Sequence, residues 1–205
     1  VLTDLRPDLI SLNENYRTYM QGLRAYSKKP LYPDANFTLR LTYGKMEGIE
    51  PQDGMKYSMY TTLGGAVRKR NTEVEEFNMP QRLVDLYEKK DFGRYATWHK
   101  GKKDVPVCLL SSLHTTGGNS GSPVINGKGH LIGCAFDGNW EAMSGDIFFE
   151  KTFQRTISVD ARYILFIVDK YAGASNIIDE LTLVKSEDSA EANTTVEVEG
   201  EGASN

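Results

Sequence analysis

The chain has 205 residues, 40% of them hydrophobic, and a formal net charge of −4 from 24 Lys and Arg against 28 Asp and Glu. That composition supports one sizeable core and excludes wholesale disorder, and no apolar run approaches the roughly 18 residues of a membrane span. Six of the acids lie in residues 186–205, which hold no Lys or Arg, so the rest of the chain is near neutral and lacks the clustered cations of a nucleic-acid binder.

In chain order, Leu9, Leu12, Tyr16, Tyr19, Met20 and Leu23 line one face, predicting an amphipathic helix from Asp8 to about Lys28 after Pro7. Pro30 and Pro33 stop it. Phe37, Leu39, Leu41 and Tyr43 then alternate with Thr38, Arg40 and Thr42, the pattern of a half-buried strand. Further strands are expected at Tyr57–Leu63, Val105–Ser111, Pro123–Ile125, His130–Phe136 and Asp146–Phe149, with Asn126-Gly127-Lys128-Gly129 as a turn. Arg68-Lys69-Arg70 reads as a solvated turn or strand end, and Met79–Lys90 as a short helix or loop. A last helix is expected over Asp160–Lys170, capped by Ser158 and packed through Tyr163–Val168; Ile177, Ile178, Leu181 and Leu183 end the folded part. The acidic stretch after about Lys185 reads as disordered. Cys108 and Cys134 allow either one disulfide or two small buried hydrophobes, and no metal site is expected. The first helix has no partner helix, so its apolar face is expected to pack on the β unit or on something beyond the chain.

Chemistry is concentrated in Thr115-Thr116-Gly117-Gly118-Asn119-Ser120-Gly121-Ser122-Pro123-Val124. A serine among glycines between two strands suits a nucleophile on a tight turn, and the amides of Gly118 and Ser120 can converge as an oxyanion hole. The same residues also suit a plain loop. The hairpin formed by Pro123–Ile125 and His130–Phe136 brings Phe136-Asp137-Gly138-Asn139 back beside Ser120, the order in which a chymotrypsin-type peptidase builds its specificity pocket. Glu141, Asp146 and Asp160 fall in different elements and suit solvated or capping roles. The triplets at Asn36 and Asn193 match a glycosylation pattern but arise by chance.

GNSGSPV, LIGCAFDGNWEAMSGD and QRTISVDARYILFIVDK, together with RTYMQGL, PDANFTLRLTYGKMEGIEP and TTLGG, resemble the carboxy-terminal portion of bacterial serine dipeptidyl-peptidases of the dipeptidyl-peptidase 7 and 11 type. The resemblance spans about residues 15–184. It implies a mainly β fold: the second chymotrypsin-like barrel of a double-barrel peptidase with peripheral helices. Residues 1–30 become the end of an inserted helical domain, 31–184 the catalytic barrel with its closing helix, and 185–205 an acidic tail. It implies Ser120 as nucleophile, Gly118 and Ser120 as oxyanion amides, and Asp137 as the carboxylate that holds the substrate's α-ammonium. Gly138 stands where the acidic-specific branch carries an arginine, which implies a preference for hydrophobic residues. No cofactor is implied; the partners are peptides with a free amino terminus, with homodimerisation common in the family, and the location is periplasmic or at the cell surface. Val1-Leu2-Thr3-Asp4 carries no signal peptide, so the parent protein is expected to supply one.

The family's catalytic His and Asp lie in the amino-terminal part of a longer chain. The three histidines here, His99, His114 and His130, match neither the motif nor the position of that base, and each reads as an ordinary surface or strand residue. The expectation is a fragment that is inactive alone, because a serine without its base loses most of its turnover. The rivals are a trypsin-like endopeptidase lobe and a non-catalytic binding module built on the same scaffold.

Overall fold

The computed structural model describes residues 6–28, 39–145 and 148–184. They fall into two compact units, Val1–Leu41 with Thr116–Gly118, and Thr42–Thr115 with Asn119–Asn205. The first unit holds helix α1, Arg6–Tyr26, as the apolar spacing requires. Leu12, Tyr16 and Tyr19 on it are all exposed.

The second unit is mainly β. Its elements are β1 (Ile49–Gln52), β2 (Met55–Tyr57), β3 (Tyr60–Thr62), α2 (Leu63–Arg68), α3 (Gln81–Glu88), β4 (Thr97–His99), β5 (Lys102–Asp104), β6 (Pro106–Ser111), β7 (Pro123–Ile125), β8 (Leu131–Gly138), β9 (Thr156–Asp160), α4 (Ala161–Phe166) and α5 (Ser175–Asp179). β1–β2 and β4–β5 are antiparallel hairpins, and the main sheet runs β3-β6-β9-β8-β7, with every pairing in it antiparallel. Pro123 begins the edge strand β7 and Pro106 begins β6, the places where a missing amide donor costs least. Leu63, Leu83, Phe92, Tyr95, Val105 and Phe166 form the buried apolar core that joins α2, α3 and α4 to the sheet.

Several elements depart from the sequence reading. The alternating run at Phe37–Tyr43 forms no ladder where it is described: Leu39, Leu41 and Tyr43 are 104%, 83% and 88% exposed, and only Met46 bridges, to Ser111. Phe37 and Thr38 lie outside the described residues. The expected strand Tyr57–Leu63 is interrupted between β2 and β3, and Leu63 already belongs to α2. The polar run at Trp98–Lys103 is the β4–β5 hairpin, closed by Lys100 and Gly101, both at positive φ, as a two-residue turn of primed type demands. Asp160, not Ser158, caps α4: its carboxylate accepts from the Arg162 amide at 2.8 Å, while Ser158 is buried within β9. The expected helix to Lys170 is α-helical only to Phe166, and Ile167–Tyr171 continue as a π turn. Asp146 and the acidic tail lie outside the described residues.

The motif TTLGG has a physical reason. The Thr62 side chain accepts from the Gly65 amide to cap α2, and the Gly64 amide donates to buried Asp104 at 3.1 Å. A Cβ on Gly64 would stand 2.5 Å from both the Asp104 carboxylate and the Tyr87 hydroxyl, so a larger residue would have to displace one or both side chains.

The sheet also decides the cysteine question. Cys108 on β6 and Cys134 on β8 both register with Val159 of β9, on its opposite sides. Two strand spacings, about 9.6 Å, exceed the roughly 7 Å that a disulfide can span, and both thiols are free. Burial pushes the Cys108 thiol above its usual range, which keeps it protonated and inert.

Candidate active site

Ser120 lies on a four-residue turn. The Ser122 amide donates to the Asn119 carbonyl at 3.0 Å, and Gly121, third in that turn, has φ +85°, where a type II turn requires glycine. The turn is tied to the returning strand in both directions: the Gly121 amide donates to the Ala135 carbonyl at 2.8 Å, and the Ala135 amide to the Ser122 carbonyl at 2.9 Å. Ser120 Oγ donates to the Phe136 carbonyl at 3.3 Å. Gly118 also adopts positive φ, +95°, and falls in the first unit.

The approach to this turn is pinned by side chains. The Ser112 amide donates to the Lys45 carbonyl at 2.9 Å, and Ser112 Oγ accepts the Lys45 amide at 3.0 Å. The His114 amide donates to Thr42 Oγ1 at 3.1 Å. Thr115 meets buried Thr156, hydroxyl to hydroxyl, at 2.6 Å, and Thr156 Oγ1 donates to the Leu113 carbonyl at 2.9 Å.

Asp137 owes its exposure to a β-bulge. Ala135 pairs with Ser158 but Asp137 pairs with the very next residue, Ile157, so Phe136 is the extra residue on β8. Gly133 and Ala135 are buried, and strict alternation would bury Asp137 as well. The bulge reverses that parity, turning the carboxylate outward beside the carbonyl that receives Ser120. Asp137 Oδ1 accepts the Gly138 amide at 2.8 Å, which leaves an exposed, oriented carboxylate able to take a cation. Gly138 packs tightly: a Cβ there would lie 3.0 Å from the Ala142 Cβ.

All three histidines are engaged away from this turn. His99 tilts against the Tyr60 ring at 4.8 Å, His130 lies 3.5 Å from the Asn126 carboxamide, and His114 stacks on Phe149 at 4.3 Å with Nε2 3.3 Å from the Gly145 carbonyl. The Ser120 hydroxyl proton points instead at a main-chain oxygen. No group of three or more His, Cys, Asp and Glu suited to a metal occurs among the described residues, and no described helix is long and apolar enough to cross a membrane.

A model of the peptidase S46 family matches residues 9–183. The chain belongs to this family. It is 54% identical over 171 residues to dipeptidyl-peptidase 7 of Phocaeicola vulgatus, covering 83% of this chain and 23% of that protein. It is 50% identical over 171 residues to the Asp/Glu-specific dipeptidyl-peptidase of Capnocytophaga gingivalis, covering 82% and 24%. Among solved structures, Porphyromonas endodontalis DPP11 in complex with the dipeptide Arg-Glu matches with a TM-score of 0.71 and 45% identity over 77% of this chain and 22% of that one. This S46 chain therefore spans about a quarter of the length of the relatives it matches.

Within the S46 chain, the hairpin of β7 and β8 joins Ser120 to Phe136 and sets Asp137 and Gly138 immediately after. Sequence reasoning missed the residues that hold this end in place, Asn139 and Arg155, which meet across a separation of 16 positions. Asn139 was placed in the stretch that the hairpin returns beside Ser120 but was given no role, and no local signal supplies one.

Proposed function

We propose that this S46 chain is the carboxy-terminal part of a serine dipeptidyl-peptidase that removes dipeptides from free peptide amino termini. The observation that carries the reading is the Ser120 hydroxyl bonded to the Phe136 carbonyl, because it joins the nucleophile's turn to the strand end bearing Asp137. In the reaction, Ser120 Oγ attacks the carbonyl carbon of the second peptide bond. The developing oxyanion is received by the Gly118 and Ser120 amides, and the hydroxyl proton passes through a histidine base outside these residues to the departing amine. Water then opens the acyl-enzyme and releases the dipeptide. Asp137 binds the substrate's α-ammonium and so measures two residues from the chain end; such charge-assisted bonds contribute about 1.5–3 kcal/mol.

The residue before the scissile bond is hydrophobic. Supporting this, residues 131–149 contain no Lys, Arg or His, and Gly138 offers no side chain to a carboxylate. The architecture is the second chymotrypsin-like barrel over 31–184, preceded by the end of a helical domain over 1–30. The enzyme works outside the cytoplasm, and these 205 residues alone are inactive because the His and Asp that complete the triad belong to another part of the protein.

The test is the full-length protein assayed with coumarylamide dipeptides carrying Leu or Asp at the second position. Faster release from Leu, abolished by Ser120→Ala, is expected. Cleavage of amino-blocked peptides points to an endopeptidase, preference for Asp overturns the specificity, and hydrolysis by the 205-residue chain overturns the requirement for an external base.

A further inference from the structure

Asp137 sits at a vulnerable place in the sheet. The bulge at Phe136 interrupts the β8–β9 ladder just before it, and the last registered pair, Gly138 with Thr156, comes just after. Two residues of ladder do not by themselves fix a carboxylate's direction, since strand ends fray. The ladder is continued one step further by a side chain. The Asn139 amide donates to the Arg155 carbonyl at 3.0 Å, and Asn139 Oδ1 accepts the Arg155 amide at 2.7 Å, a pair of bonds equivalent to one more rung. Asn139 Nδ2 then donates to the Phe153 carbonyl at 2.7 Å and to Glu141 Oε2 at 2.7 Å.

The partner strand is firmly seated. Arg155 is 4% exposed, and its guanidinium donates to the carbonyls of Lys151 at 2.8 Å, Gln154 at 2.9 Å and Gly48 at 3.1 Å, with Glu47 at 3.2 Å. Asn139 therefore ties the strand end that carries Asp137 and Gly138 to an anchored neighbour.

We infer that Asn139 is a positioning residue for the α-ammonium carboxylate: its carboxamide caps the β8–β9 ladder and holds Asp137 at the distance and direction that a substrate amine requires. The inference rests on the reading of Asp137 given above. It predicts a defect in substrate binding rather than in the serine chemistry, because the Ser120 turn is tied to β8 through Ala135 and through the Phe136 carbonyl, both before the rung that Asn139 adds.

The experiment uses the full-length protein, a coumarylamide dipeptide with a free amine, and an alkyl fluorophosphonate that labels the serine without needing an ammonium site. Asn139→Ala is expected to raise KM about tenfold or more while kcat changes less than about threefold and labelling less than about twofold. Asn139→Asp keeps the acceptor for the Arg155 amide but faces a carbonyl and a carboxylate where it once donated, so KM rises about fivefold. Adding Glu141→Gln supplies a donor to the new carboxylate and is expected to restore KM to within about twofold. An unchanged KM in Asn139→Ala, or a parallel loss of kcat, KM and labelling, overturns the inference. Should Asn139→Ala fail to fold, the isosteric pair decides, and absence of rescue overturns it. Asp137→Asn separates the two claims: an unchanged KM there defeats the ammonium reading itself, whereas a raised KM there with none in Asn139→Ala defeats only the role of Asn139.

Discussion

The apolar core and the segment from Asn139 to Arg155 hold their shapes by different means. In the core, Leu63, Phe92, Val105 and Phe166 fill volume, and the interaction is non-directional, so its strength follows buried area. Among the described residues of the segment beyond β8, Trp140, Met143 and Phe148 are exposed, and the bonds are polar: Gln154 donates to Ser144 at 3.1 Å and accepts the Glu150 amide at 3.0 Å, Thr152 donates to Glu150, and Asn139 and Arg155 add further bonds. Directional bonds fix atom positions that packing alone leaves soft, and unmade bonds in such a place cost more than made ones contribute. The core sets how stable the unit is; the polar segment sets where the site residues stand.

That contrast is open to direct attack in the full-length protein. The largest effect expected is on turnover: Ser120→Ala lowers it by about 10⁴–10⁶ with no change in the unfolding midpoint, since an exposed hydroxyl contributes little to packing. Next, Phe166→Ala is expected to lose about 3–5 kcal/mol of stability by denaturant titration, with kcat/KM per folded molecule within about twofold. Arg155→Ala leaves the carbonyls of Lys151, Gln154 and Gly48 without their donor and is expected to lose about 1–3 kcal/mol, but with kcat/KM reduced at least tenfold or so besides. Arg155→Ala with intact specific activity would break the contrast. The smallest effect concerns Tyr95, whose hydroxyl donates to Asp169 at 2.8 Å; burial and that carboxylate push it up to about 12. A raised acid contributes stability in full below the ordinary value near 10 and loses it as pH climbs toward 12. Tyr95→Phe should therefore flatten the fall in stability over that window, measured as the unfolding midpoint against pH.

The hairpin around Ser120 was legible in the sequence because its signals are local: Asn126 Oδ1 accepts the Lys128 and His130 amides, and Gly129 takes positive φ, as the turn residues announced. The central strand β9 was not legible, for its inward residues are Thr156, Ser158 and Asp160, polar groups that a hydrophobic alternation never flags: Thr156 bonds across the chain to Leu113 and Thr115, and Asp160 turns to Arg162. The opposite error occurred at Leu39–Tyr43, where a clean alternation stands outside any ladder: period reports which face is apolar, not that a partner strand exists. Ser120 was singled out by its glycine-rich turn between strands, whereas the roles expected of Asp137 and Gly138 came through resemblance to a family. The bulge at Phe136 is a property of pairing and could not be read from either strand alone.

Because β9 keeps Cys108 and Cys134 two strands apart, no covalent link between strands contributes to this sheet, and reductant has nothing to cleave. The same fold is compatible with an oxidising or a reducing compartment, and the unfolding midpoint should not move when dithiothreitol is added.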